Sequence, residues 1–343
     1  MHKPLVAITM GDPAGVGPEV IVGAWPAPEI HALCRPVVLG HPEVLRRAAK
    51  LLDNGVDVVE IGDCLEADPG PLRLPCLLAT SSAAADAPPA LLDPRGGKAA
   101  YDALVAATRL ALANQVDAIV TAPLNKAALW QAGHHYPGHT ELLAELCGVD
   151  DFAMMLYLAP GEGIRGPAGL GVVHVTLHMG IADVPRHLTR AAVINKIRLA
   201  DTHLRRLGAK VPRVGVAALN PHAGEEGLFG REEIEIIAPA VATCRAEGVL
   251  CEGPLAADTL LVRARDGEFD AVVAMYHDQG HIALKLLGMH RAVNITLGLP
   301  IIRTSVAHGT AFDRAWRGQA ETSSMVEAIR VASLLASNTQ RGT

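Results

Sequence analysis

Leu5 to Ala24 reads LVAITMGDPAGVGPEVIVGA: a continuous apolar run, a turn rich in glycine and proline, and a second apolar stretch opening at Glu19. A short apolar run bounded by turn residues is a buried strand, and Glu19 to Ala24 begins a helix. PVVLG (Pro36 to Gly40), a helix from Glu43 to Leu52 and the strand in VDVVEIG repeat the alternation. After a connection rich in Pro and Ala around Asp86 to Pro94, a long helix from Lys98 to Ala113 feeds the strand DAIVT. Further strands fall in FAMMLYL, LGVVHVT, RVGVAAL, AVVAM and AVNITLG, with amphipathic helices at Leu188 to Leu207 and Arg231 to Glu247 and a closing helix at Ser324 to Ser337. Strands alternating with helices give an α/β fold on a largely parallel sheet. With no repeat and no clean linker, two joined α/β lobes are expected: residues 1–135 plus 305–343, and residues 136–304.

Composition narrows the function. Half of the 343 residues are hydrophobic, 19% are charged and 3% are aromatic, so the core is aliphatic. A net charge of −6 without a run of like charges leaves no footprint for nucleic acid or an anionic membrane, and favours a small-molecule substrate. The six cysteines are scattered and form no C-x-x-C pair, as in a reducing compartment. No secretory leader and no apolar run of ~18 residues is seen, so a cytoplasmic protein is expected.

Three segments place a histidine just beyond an apolar run: GVVHVTLHMG (His178), RVGVAALNPHAGEEG (His222) and FDAVVAMYHDQGH (His277). Open α/β sheets put their ligands at the carboxyl ends of strands. Three imidazoles converging there suit one divalent metal with a position left for substrate; alternatively, each histidine hydrogen-bonds within its own loop. Asp278 stands beside His277 as a proton-transfer or ligand-orienting candidate, and Lys285 follows eight residues after His277. Asn294 and Arg303 flank the next strand and its exit, so that Lys285, Asn294 and Arg303 suit a joint clamp for phosphate or carboxylate, or alternatively are three unrelated surface groups. GDPAGVGPE (Gly11 to Glu19) leads into a helix N-terminus suited to an anion, or is a plain sharp turn, and matches no standard nucleotide fingerprint. TAPLNKAAL sets Asn125 and Lys126 at a helix start, and Thr140 is a natural N-cap beside His139, which has no evident structural duty. No G-x-S-x-G elbow occurs. A metal-dependent lyase and a non-enzymatic small-molecule binder remain as rival classes.

GDPAGVGPE, TAPLNKAAL, GHTELLAE, LNPHAGEEGLFGREE, GPLAADT, AMYHDQGHIALK and VNITLGLPIIRTSVAHGTAFD together resemble the 4-hydroxythreonine-4-phosphate dehydrogenase family of vitamin B6 biosynthesis, from near residue 5 to about 335. The resemblance implies a two-lobed α/β/α subunit like the isocitrate and isopropylmalate dehydrogenases, with the active site in the interlobe cleft. It implies a homodimer with shared sites, NAD or NADP bound without a Rossmann fingerprint, and one divalent ion: Zn, Mg, Mn or Co. By position it places the metal on His178, His222 and His277, substrate on His139, Thr140, Lys285, Asn294 and Arg303, and catalytic roles on Asp278 and Lys285. The implied reaction is oxidation and decarboxylation of a 4-phosphorylated 3-hydroxy acid of the 4-phosphohydroxythreonine type. TLHMGIADVP, where pyridoxine-pathway members carry a T-H-L-P-L type sequence, and GHHYPGHTE look closer to a branch acting on D-threonate or D-erythronate 4-phosphate to give dihydroxyacetone phosphate. A further relative oxidises a cis-dihydrodiol dicarboxylate.

Overall fold

The computed structural model describes residues 3–161 and 163–341, with the side chains of 340 and 341 excepted. The chain divides into two compact units: residues up to Asp150 with those from Leu299 onward, and Asp151–Gly298. The sequence boundaries at 135/136 and 304/305 therefore move, and His139, Thr140 and Arg303 belong to the first unit, not the second. Residues 1, 2, 342 and 343 of the expected first lobe lie outside the described residues.

Strands β1 (Leu5–Thr9), β2 (Arg35–Gly40), β3 (Asp57–Ile61), β4 (Arg73–Leu78) and β5 (Ala118–Thr121) lie in the first unit. β6 (Ala153–Leu158), β7 (Leu170–His174), β8 (Val214–Ala217), β9 (Cys251–Leu255), β10 (Ala271–Ala274) and β11 (Val293–Leu297) build the second, and β12 (Arg303–Val306) returns to the first. In the first unit the order is β3-β4-β2-β1-β5-β12, parallel throughout. β1 is buried at all five positions, as its unbroken apolar sequence requires in a sheet covered on both faces. In the second unit the order is β11-β6-β7-β10-β8-β9. Here β6 runs antiparallel to both neighbours, whereas β7, β10, β8 and β9 are parallel.

The long helix starts at Pro94, ahead of the expected Lys98. Asp93 caps it through the Arg95 N–H, Pro94 fills the first turn, and a Cβ on Gly97 would stand 2.1 Å from the Ala128 carbonyl oxygen. The PRGG sequence ahead of Lys98 thus serves as a start signal and a close-packing face against the helix Lys126–Gln131. The expected helix Arg231 to Glu247 is interrupted: Glu233–Ile237 is a π-turn, with the Ala238 N–H bonded to the Glu233 carbonyl, before the regular helix Ala238–Ala246. Among the described residues no helix is long and apolar enough to cross a membrane.

Candidate functional site

β7, β10 and β8 are adjacent parallel strands, so their exits leave one edge of the second unit's sheet side by side. His178 follows β7, His277 follows β10 and His222 follows β8. The exits are stitched together: the Thr176 hydroxyl donates to the Met275 carbonyl at 2.8 Å. Gln279 accepts from the Met275 N–H and donates to the Ala218 carbonyl, both at 2.7 Å. One side chain therefore ties the turn bearing His277 to the strand end leading to His222.

His277 opens the helix His277–Gly288, and its Nδ1 donates to Asp278 Oδ1 at 2.7 Å. That contact fixes the ring and leaves the Nε2 lone pair to face a metal, the arrangement in which a carboxylate sets the tautomer of a metal-ligating histidine. The His178 and His277 rings are 6.0 Å apart by centroid. Leu177, His178, Met179, Ile181, Val184, Tyr276, His277 and Asp278 enclose a pocket of about 310 Å³. Among the described residues, no group of three His, Cys, Asp or Glu side chains stands in a metal-holding arrangement. The structure therefore brings His178 and His277 together without completing a triad at His222.

Beneath these rings lies a pair that sequence reasoning missed. His174, the last residue of β7, is buried and its Nε2 shares a hydrogen bond with His281 Nδ1 at 3.1 Å. His281 in turn stacks on His277 one helical turn away, with centroids 3.9 Å apart. Burial, with the neighbouring histidines, holds His174 down to about 3 and His281 to about 4, so both are neutral at physiological pH. A Cβ on Gly280 would meet Val172 Cγ1 at 2.3 Å and His174 Nε2 at 2.8 Å, which explains the glycine in YHDQGH. Lys285 lies one further turn along this helix, and Asn294 on β11 has a buried Oδ1 without a hydrogen-bond partner among the described residues.

His222 sits in an unusual backbone. Residues 222–226 all have left-handed φ, between 44° and 79°, and only Gly224 among them is a glycine. Left-handed conformation costs a non-glycine residue roughly 1–2 kcal/mol, so the run persists only because its surroundings impose it.

In the first unit, Arg303 opens β12 and is buried at 2% exposure, not standing at a strand exit as the sequence suggested. Its Nη2 and Nε donate to the Thr121 hydroxyl at 2.6 and 3.2 Å. Burial pulls the guanidinium down to about 9, against the field of Glu141, so it stays cationic at neutral pH. His139 lies close by and is held well below its ordinary value, by burial first and then by Arg303, with the Ala122 backbone opposing and Lys126 adding to the effect. A neutral imidazole with two cations in its field has the chemistry to accommodate an anion. Thr140 is not the N-cap: the helix begins at His139 with Gly138 capping, and no side chain closes that end. Asn125 does cap its helix, accepting from the Ala128 N–H at 3.0 Å.

GDPAGVGPE runs through a hydrogen-bonded turn into the helix Gly17–Ala24. The Ala14 N–H goes to Asp12 Oδ1, the Gly15 N–H to the Asp12 carbonyl and the Val16 N–H to the Thr310 carbonyl, so these amides are already engaged. Buried Glu19 accepts from the Trp316 and Gly318 N–H groups, anchoring the returning chain.

The family described as pyridoxal phosphate biosynthetic protein PdxA matches residues 32–332. The chain is 44% identical over 342 residues to D-threonate 4-phosphate dehydrogenase of Pectobacterium atrosepticum, spanning 97% of this chain and 99% of that protein. It is 48% identical over 337 residues to 4-hydroxythreonine-4-phosphate dehydrogenase of Geobacter metallireducens, spanning 97% and 96%. A crystal structure of 4-hydroxythreonine-4-phosphate dehydrogenase from Klebsiella pneumoniae superposes with a TM-score of 0.86 at 44% identity, over 97% of this chain and 100% of that one.

Proposed function

We infer, because this chain belongs to the family of the pyridoxal phosphate biosynthetic protein PdxA, that it is an NAD(P)-dependent dehydrogenase oxidising a 4-phosphorylated 3-hydroxy acid with the help of a divalent metal. The observation that carries the reading is the strand order β7-β10-β8, which sends His178, His277 and His222 off one sheet edge. The donor set suits a divalent ion, with three imidazoles of which one is already oriented by a carboxylate. His178, His222 and His277 would hold it. When bound, the ion supplies a Lewis acid for the substrate hydroxyl and the nicotinamide supplies the hydride acceptor.

The chain's own residues do the rest. Arg303, with its guanidinium fixed on Thr121, binds a phosphate or carboxylate oxyanion together with His139 and Thr140. Lys285 offers a cation on a long side chain, and Asn294 offers a buried carbonyl oxygen that is satisfied by a substrate hydroxyl. Asp278, hydrogen-bonded to His277 and exposed, orients that imidazole and can relay the hydroxyl proton to solvent. His174 and His281 stay neutral and add no repulsion to the metal side.

A sugar-acid substrate is the second reading, favoured by TLHMGIADVP and by the Pectobacterium relative. The test is NADH or NADPH formation by purified protein with and without EDTA, then with Mg, Mn, Co or Zn restored. 4-Phosphohydroxythreonine is compared with the D-threonate and D-erythronate 4-phosphates. Metal-dependent turnover of at least one is expected, and the preferred compound decides between the readings. Silence on all three sinks the proposal.

A homodimer is part of the reading. Ile282, Leu286 and Met289, 57%, 83% and 51% exposed, form an apolar stripe on and just beyond the helix that carries His277, His281 and Lys285. Single exposed leucines need no explanation, whereas a stripe at this spacing marks a contact, here for a second copy of the chain. Leu286→Glu should convert a dimer to a monomer in sedimentation equilibrium at micromolar concentration. A monomeric wild type, or an unaltered dimer in the variant, removes this face from the assembly.

A further inference from the structure

Glu233 is the last residue of LNPHAGEEGLFGREE and belongs to no role assigned above. It is buried at 3% exposure at the head of the π-turn Glu233–Ile237. Its Oε1 accepts from the backbone N–H groups of both Leu219 and Asn220 at 2.8 Å, and its Oε2 accepts from Asn220 Nδ2 at 2.9 Å. Glu232 takes Asn220 Nδ2 as well, at 2.7 Å. These contacts grip the two residues that precede Pro221 and His222, where the chain turns into its left-handed run. The far side of the run is closed by the Phe229 N–H on the Gly224 carbonyl and the Leu228 N–H on the Glu225 carbonyl.

The glycines in the segment make room for this carboxylate. A Cβ on Gly224 would stand 2.6 Å from Glu233 Oε2, and one on Gly230 would stand 2.5 Å from both Asn220 Nδ2 and Glu232 Oε2. The π-turn belongs to the same construction: its one-residue expansion sits where Glu233 must point back at the chain end of β8 instead of following the regular helix that starts at Ala238. Three donors meeting two oxygens demand a group that only accepts, which glutamate is and glutamine is not.

We propose that Glu233 is a positioning residue, a buried clamp that holds Leu219 and Asn220 so that the left-handed turn presents His222 in one fixed orientation. The proposal deepens the reading of His222 as a metal ligand and rests on it for its catalytic consequence. Glu233 touches neither metal nor substrate; it acts through the turn.

The experiment uses the full-length protein in two measurements. Amide hydrogen exchange, without added metal, should show Leu219, Asn220 and Phe229 exchanging faster in Glu233→Ala, with Glu233→Gln intermediate because it keeps a single acceptor oxygen. Calorimetric titration with Co2+ should show Glu233→Ala binding roughly 10- to 100-fold more weakly, the loss typical of an outer partner of a metal ligand. It should show no additional loss when Glu233→Ala is combined with His222→Ala. Glu233→Gln, which preserves size, serves where Glu233→Ala fails to fold. Unchanged exchange in both variants overturns the clamp. An equal loss of Co2+ affinity in the His222→Ala background also overturns it, because Glu233 would then act elsewhere. Wild-type Co2+ affinity in His222→Ala alone strikes out the ligand role of His222 and the catalytic consequence with it, while faster exchange in Glu233→Ala still upholds the clamp.

Discussion

His277→Ala should lower metal-dependent NAD(P)H formation by at least about 10²-fold, the upper end of what losing even an outer partner of a metal ligand costs. His277 is the middle one of the three: its strand β10 lies between β7 and β8, its ring is 6.0 Å from His178, and His281 stacks on it. The fold should survive, because the side chain is 34% exposed and belongs to a helix start, not to the core. Circular dichroism and the thermal midpoint of the metal-free protein should therefore match wild type while turnover disappears. Asp278→Asn should cost less, about 10- to 100-fold, since it loosens the ring at Nδ1 without removing a ligand. Turnover within a few-fold of wild type in His277→Ala would remove this residue from the metal set. Loss of the thermal transition as well would make the residue structural.

The contrast between what the sequence disclosed about this site and what it withheld is physical. His178, His222 and His277 were visible because each follows an apolar run, and a buried strand writes its end into the sequence as a change from apolar to polar residues. His174 and His281 were not: one is the last residue of β7 and the other lies within a helix, so only packing reveals that their rings meet. Arg303 was noticed but misplaced. RTSV is a four-residue strand opening on a cation and holding two hydroxyls, without the apolar pattern that marks β1, and its pairing with β5 returns Arg303 to the first unit. β4 and β9 were missed for a related reason, each carrying a proline. Thr140 had the right chemistry for an N-cap one residue too late, the extended Gly138 having already begun the helix. The left-handed run at His222 could not be read at all, because HAGEE contains one glycine and the conformation is imposed by Glu233, eleven residues away.

Arg303→Met should separate binding from stability. The guanidinium is fixed by Thr121 and is cationic at neutral pH, yet it lies in a buried place where a charge is costly to hold. A methionine of similar length removes that cost, and Glu141, half-buried, can be hydrated once the cation is gone. The thermal midpoint without substrate should therefore stay level or rise. Substrate binding should move the other way. A hydrogen bond to a charged group contributes about 1.5–3 kcal/mol, so losing the clamp should raise KM for the phosphorylated substrate roughly 10- to 10²-fold. Inorganic phosphate should weaken as a competitive inhibitor by a similar factor, whereas the affinity for the nicotinamide cofactor should hold. Arg303→Lys should recover only part of the loss, since a point charge cannot reproduce the planar fork seated on Thr121. Unchanged KM with a lowered thermal midpoint would give the opposite assignment: Arg303 would be a buried structural cation, and the oxyanion would have to be held by His139 and Lys126 without it.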